Sequence, residues 1–270
     1  MDKVVFIDFG LFMFRGIFSF IKTQQIPPTY TTLNMIVSCL KKVGVTPNTK
    51  IIIAVDSKKG NWRKQLDPNY KSNRKEAREK HDFDWNLWFR KYSYLVNNIE
   101  ESTPFYTVEI ENLEADDIIA VGCKLYKENE CVVISSDQDY EQLVALGNVK
   151  IFSPVTKQYK NVKNPYAILS KKIEKEVSDN LITPISNEEE YNVRNTLVNL
   201  IDLPEWVNTL VTEKLSILPE KDFDTNLLLF KSMREKVKQI YNSNNIVDYE
   251  KSINRKKRRK KSGKQRLLKM

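Results

Sequence analysis

The feature that most constrains this chain is a set of short apolar runs that are continuous rather than alternating. Segments 4–9 (VVFIDF), 51–55 (IIIAV), 106–110 (YTVEI), 132–135 (VVIS) and 149–152 (VKIF) are rich in β-branched residues and have strand length. Runs of this kind are buried on both faces, which requires helices on both sides of one sheet. Helical spacing does lie between them. Leu33, Ile36, Val37 and Leu40 form one face ahead of Gly44, and Ile118, Ile119 and Gly122 lie on a helix that continues to Tyr126. The expected fold class is therefore α/β, with one main core built on a mainly parallel central sheet flanked by helices.

In such sheets ligands collect beyond the carboxyl ends of the strands. Acids occupy those ends here. Asp8 closes VVFID, Asp56 closes IIIAVD, and Asp137 and Asp139 follow VVISS. Glu114, Asp116 and Asp117 open the helix after YTVEIENL. One such acid is readily explained as a helix cap; acids at four strand ends are not. Converging carboxylates repel one another unless a cation fills the gap. Oxygen ligands without His or Cys suit hard ions such as Mg²⁺ or Mn²⁺, and two such ions about 4 Å apart are the usual device for in-line attack on a phosphodiester. His81, the single histidine, sits among charged residues, so Ser–His–Asp chemistry is poorly supported.

The formal charge of +9 is unevenly spread. Eleven of the 44 basic residues fall between Lys251 and Lys269 with no acid among them, leaving 33 basic against 35 acidic groups before that point. This low-complexity tail includes Arg255, Lys256, Lys257, Arg258, Arg259, Lys260 and Lys261 and is suited to holding a polyanion by counterion release. A solubilising or partner-docking tail is the plainer alternative. Cys39, Cys123 and Cys131 share no metal-like spacing, which fits core thiols in a reducing compartment. The sequence has neither a leader-like start nor an apolar segment of about 18 residues, so a soluble, cytoplasmic protein with no membrane partner is expected.

Shortly after Asp56 comes NWRKQLDPNYKSNRK, in which Arg63, Lys64, Lys71, Arg74 and Lys75 surround Trp62 and Tyr70. That mixture suits phosphate contacts beside an aromatic face, and Lys71 and Arg74, three apart, would share one side of a helix. An ordinary solvated helix would look similar if the segment stood alone. It does not stand alone. IDFG, VDSKKGNWRKQLDPNYKSNR, EADDIIA and SSDQDYEQL occur in an order that resembles the 5′ nuclease, or flap endonuclease, superfamily, and within it the ribonuclease H and 5′→3′ exonuclease branch of T-even-like phages.

The resemblance implies a metal-dependent 5′→3′ exonuclease or flap endonuclease that hydrolyses RNA primers or DNA 5′ ends, with two Mg²⁺ or Mn²⁺ ions. Asp8, Asp56, Glu114, Asp116 and Asp137 would hold or support the first ion, with Asp117 in a supporting place, and Asp139 would serve the second. Lys71 and Arg74 would meet the scissile phosphate and Tyr70 would stack a terminal base. Residues 1–160 would be the nuclease core, with a helical gateway at about 63–98; residues 161–250 would be a helical region and 251–270 the basic tail. The partners implied are a 5′ flap, a nicked duplex or an RNA–DNA hybrid, with a replication protein as a further partner, in a host cytoplasm if the chain is phage-encoded. The chain departs from the family in one stretch. KEVSDN offers Glu176 and Asp179 where the remaining ligands are expected, and no glycine lies between Gly147 and Gly263 to build the family's glycine-rich duplex clamp. A nucleic-acid-binding replication scaffold with weak or no turnover is the alternative reading, and a small PIN-like ribonuclease is a third.

Overall fold

The computed structural model describes residues 3–175, 185 and 187–241. Strand β1 (Lys3–Asp8) lies inside the sheet, paired in parallel with β2 (Lys50–Val55) on one side and β4 (Glu130–Ile134) on the other. β3 (Tyr106–Glu109) extends the sheet beyond β2, and β5 (Val149–Ser153) extends it beyond β4, both in parallel. A two-residue β6 (Gln158–Tyr159) folds back antiparallel on β5, giving the order β3-β2-β1-β4-β5-β6. The sequence gives no sign of β6, because two residues carry no period. The apolar run expected to be a strand through Phe9 stops at Asp8, which instead caps α1 (Phe9–Thr23) by accepting the Leu11 N–H at 3.2 Å.

Alternation along each strand sends side chains into two cores. Val5, Ile7, Ile51, Ile53, Val132 and Ile134 face a layer made by α1, α2 (Pro28–Val43) and α5 (Trp85–Ser102). Val4, Phe6, Ile52, Ala54, Cys131 and Val133 face α6 (Ala115–Leu125). α2 ends at Gly44, whose φ of 68° turns the chain out of the helix at no steric cost. The helices after residue 187 complete both layers. Val207, Val211 and Leu215 of α9 (Glu205–Ser216) join the α6 side, and Met233, Val237 and Ile240 near the end of the described chain join the α2 side. A third, smaller cluster forms where α7 (Ala167–Lys175) and α8 (Glu188–Val198) bring Ile173, Leu197 and Val198 against Tyr70. The molecule is thus an α/β fold with a mainly parallel sheet between helical layers. No helix of the described residues is long and apolar enough to cross a membrane.

Strand order reverses on either side of β1, so the loops after β1 and β4 part from one another and leave a crevice at their carboxyl ends. Asp8 and Asp137 stand at the two lips of that crevice.

Candidate active site

The carboxylates are placed by the ends of the strands. Asp56 follows β2, and its Oδ1 accepts the Ala115 N–H at 2.8 Å, which pins the loop to the first turn of α6. Asp116 lies in that same turn. Asp137 follows β4; its N–H donates to Ser135 Oγ at 3.1 Å and its Oδ1 accepts the Asp139 N–H at 3.0 Å. Behind them lies Tyr140, buried in a short 3₁₀ segment (Asp139–Leu146). Its phenol pKa is raised well above the ordinary value, first by burial and then by the charges of Asp8, Asp116, Asp137 and Asp56. Four acids therefore act on one hydroxyl through their charge. Gly10 passes between two of them: a Cβ there would stand 3.2 Å from Asp56 Oδ2 and 3.5 Å from Asp8 Oδ1.

This crowding is electrostatically costly. Burial, then the charge of Asp56, pushes the Asp8 pKa up to about 7, against the opposing Leu11 N–H. The Asp56 pKa is raised by burial despite the Ala115 N–H, and the Asp116 pKa is raised well above the carboxylate range by burial, with Glu114 and Asp117 adding to it and Arg63 opposing. Asp116 Oδ1 is buried and accepts no hydrogen bond, its ion-pair partner Arg63 Nη1 lying 3.5 Å away. An orphaned carboxylate oxygen within an all-oxygen donor set fits a hard divalent ion. Among the described residues, no three acids, histidines or cysteines converge to metal-ligand spacing. Like charges hold such carboxylates apart, so ligation requires side-chain rotation toward the ion.

Other acids are already matched by cations of the protein. Arg63 sits in α3 (Arg63–Leu66) and is 1% exposed. Its Nη2 meets Asp117 Oδ1 at 2.7 Å, Nη1 meets Asp117 Oδ2 at 3.0 Å and Glu114 Oε2 at 3.1 Å, and Nε donates to the Leu197 carbonyl at 2.8 Å. Trp62 Nε1 also donates to Asp117 Oδ2, at 3.0 Å. Arg63, expected at a phosphate, is instead an internal counterion, because the pocket beneath α6 offers it the carboxylates of Asp117, Glu114 and Asp116 and a carbonyl. Lys71 is not on a helix: it occupies a turn with φ of 55°, and its Nζ meets Glu114 Oε1 at 2.8 Å. Burial opposes its charge, but Tyr70, Glu114 and Asp116 outweigh that and raise its pKa. Burial alone would raise the Glu114 pKa; Lys71 and Arg63 reverse the shift and lower it. Tyr70, expected as a stacking face, is buried against Ile173, Leu197 and Val198 with its hydroxyl donating to Glu114 Oε2 at 3.2 Å.

Arg74 lies exposed in α4 (Asn73–Glu79), near enough to Asp56 to oppose the rise in its pKa. Lys64 is exposed in α3, and Lys75 also lies in α4. Asp139 Oδ2 accepts Lys172 Nζ at 2.6 Å. His81 is exposed, its ring edge-on to Phe18. Asp179 and the tail residues from Arg255 to Lys261 lie outside the described residues. The sequence reading gave no role to Gly10, Tyr140 or Lys172. Tyr140 is signalled by its place directly after Asp139, whereas Lys172 carries no local signal at all.

Comparison with known proteins agrees with this layout. The chain is 35% identical over 135 residues to the Ribonuclease H of Enterobacteria phage T4, an overlap of 49% of this chain and 44% of that protein. It is 31% identical over 145 residues to the Flap endonuclease Xni of Shewanella sp. (strain MR-4), covering 53% and 52% respectively. The chain thus spans about half the length of the curated relatives it matches. Among solved structures, T5 5′-exonuclease with bound zinc ions superposes with a TM-score of 0.51 at 17% identity, over 88% of this chain and 98% of that one. A T5 protein co-crystallized with metal ions gives 0.52 at 21% identity, over 88% and 87%. At such identities the superpositions speak for the fold. The sequence itself goes further: residues 3–176, which carry the four strand-end acids and the Trp62–Arg74 segment, match the family described as 5′-3′ exonuclease, N-terminal resolvase-like domain, and the chain belongs to that family.

Proposed function

We propose that the chain is a divalent-metal-dependent phosphodiesterase that cuts the 5′ ends or 5′ flaps of RNA or DNA at replication intermediates. The observation that carries this reading is the gathering of Asp8, Asp56, Asp116 and Asp137 at the strand ends beside Tyr140, with raised pKa values for Asp8, Asp56 and Asp116 and an Asp116 oxygen that accepts no hydrogen bond. These four acids would hold the ion, Mg²⁺ or Mn²⁺ by their chemistry. Such an ion supplies Lewis acidity at a phosphate and makes water a better nucleophile at neutral pH. Tyr140 stands beside Asp8 and opposes the rise in that carboxylate's pKa. Lys71 exchanges Glu114 for the substrate phosphate, and exposed Arg74 adds a second positive charge there. The zinc ions bound to the similar T5 5′-exonuclease, and the DNA and metal ions bound to the T5 flap endonuclease, support the same reading. The basic tail tethers nucleic acid without sequence preference, and truncation at about residue 250 weakens binding and flattens its salt dependence.

The test is cleavage of labelled 5′-flap, nicked-duplex, single-stranded and RNA–DNA hybrid substrates, with Mg²⁺ or chelator, by wild type and Asp137→Ala. Metal-dependent products that vanish in the variant support the reading. The pairing of Glu114 with Lys71 and of Asp139 with Lys172 favours a second reading, a nucleic-acid-binding scaffold whose site has been partly neutralised. Binding of all four substrates without cleavage in Mg²⁺ or Mn²⁺ would select it.

A further inference from the structure

Charge is divided unevenly across the sheet. From Phe9 to Val55, a stretch that includes α1 and α2, the chain carries five cations and no acid. The same layer holds α10 (Lys231–Tyr241), with Lys231, Arg234, Lys236 and Lys238 against Glu235 alone, and that acid pairs with Lys238 at 3.5 Å. α10 runs beside α2 in the same direction: Ser232 Oγ stands 3.4 Å from Tyr30 Oη, Lys236 Nζ donates to Asn34 Oδ1 at 3.0 Å, and Lys41 Nζ donates to Gln239 Oε1 at 3.0 Å. Lys41 and Lys236 are thus held by amides, and no carboxylate of the described residues pairs with either of them or with the exposed Lys42. Burial, then the charge of Lys236, lowers the Lys41 pKa. Like charges brought together without an acid are costly unless an anion joins them. The opposite layer has the reverse sign, with Asp202, Glu205 and Glu213 exposed against Lys214 on and just before α9.

We infer that the seam between α2 and α10 is a docking surface for the sugar–phosphate backbone of a nucleic-acid duplex, which lies along it outside the acidic crevice. This rests on the nuclease reading for the nature of the anion and adds to it a place for a duplex arm. Lys3 Nζ donates to the Val43 carbonyl at 2.8 Å, so α2 ends at the opposite end of β1 from Asp8. A helix of 16 residues is about 24 Å long, the rise of about seven base pairs. The cations are spread over that length: Lys231 at the Tyr30 end, Lys236 beside Asn34, and Lys41 and Lys42 at the far end. A duplex presents a dense, regular row of phosphates that ammonium groups on a rigid pair of helices can match. A single strand instead needs aromatic faces for its bases. The aromatic pair at this seam, Tyr30 and Phe230, is engaged with itself, edge-on at 5.2 Å and packed against the core.

The test is fluorescence anisotropy of a labelled blunt duplex and of a single strand of the same sequence, titrated with the full chain in chelator over a salt series. Lys41→Gln, Lys42→Gln and Lys236→Gln together should weaken duplex binding about tenfold or more and reduce its salt slope by about 2 to 3, since each phosphate contact accounts for about 0.9. Single-strand binding, which the basic tail serves in every variant, should change less than about twofold. Lys41→Arg, Lys42→Arg and Lys236→Arg together keep the charge and should bind both as wild type does. An equal loss on the single strand, or a loss shared by the arginine set, overturns the inference. Unchanged duplex affinity in the glutamine set also overturns it, and polyglutamate binding lost in that same set would then assign the seam to an acidic protein. Because binding is read without cleavage, a null result here leaves the metal-dependent reading in place, and failure of the flap assay leaves this surface in place.

Discussion

Two sets of carboxylates share one edge of the sheet and are treated in opposite ways. Glu114, Asp117 and Asp139 are each met by a cation of the chain, at 2.8 Å by Lys71, 2.7 Å by Arg63 and 2.6 Å by Lys172 respectively. Asp8, Asp56, Asp116 and Asp137 instead crowd Tyr140, and the first three have raised pKa values. The matched set serves the architecture, since a buried ion pair fixes where its elements sit. The crowded set weakens the fold as it stands, because its cations fall short: Arg63 reaches Asp116 only at 3.5 Å, and Lys71 and Arg74 do not cancel the rise at Asp56; residues that cost stability in this way are the ones with work to do elsewhere. An acid at a strand end therefore says little by itself; whether the chain has supplied its own cation says more.

Three changes sharpen that division. The largest effect falls on the crowded set: Asp116→Ala with Asp137→Ala removes several kcal/mol of charge stabilisation at the phosphate, about three orders of magnitude or more in cleavage rate. Cleavage that survives the double change would move the chemistry elsewhere. Next comes the matched set. Arg63→Met leaves Asp117 buried without its counterion and should cost about 3–5 kcal/mol in denaturant unfolding, while a loss under about 1 kcal/mol would show that the pair is not structural. The smallest effect is in pH. The folded pKa of Asp8, about 7, lies above its ordinary value of 3.8, so the native state holds that proton more tightly. Its contribution to stability is full below about 4 and is lost as pH rises through about 7. Metal-free protein should thus gain about 1–2 kcal/mol between pH 8 and pH 6, and Asp8→Asn should not share the gain.

Much of this was legible in the sequence, for reasons specific to each element. Continuous β-branched runs place the five parallel strands, because burial on both faces leaves a one-dimensional trace. The acids at their ends are visible because they interrupt those runs. Arg63 misled because the partners that bury it, Glu114 and Asp117, lie 51 and 54 residues away in the chain, and the Glu114 partner of Lys71, 43 residues away, leaves no local trace either. A Trp-Arg-Lys sequence reads the same whether its arginine faces solvent or a carboxylate. The turn at Lys71, with its positive φ, has no glycine to announce it. Lys172 was invisible for the same reason as Arg63: its partner Asp139 is 33 residues distant.

The most direct test of the central claim is the thermal unfolding of wild type and Asp8→Asn, each with Mg²⁺ and with chelator. If the crowded acids await a cation, Mg²⁺ raises the midpoint of wild type. Asp8→Asn then unfolds higher than wild type in chelator and responds little to Mg²⁺. A wild type indifferent to Mg²⁺, or an Asp8→Asn variant that is less stable in chelator and still responds fully to the ion, would contradict the account.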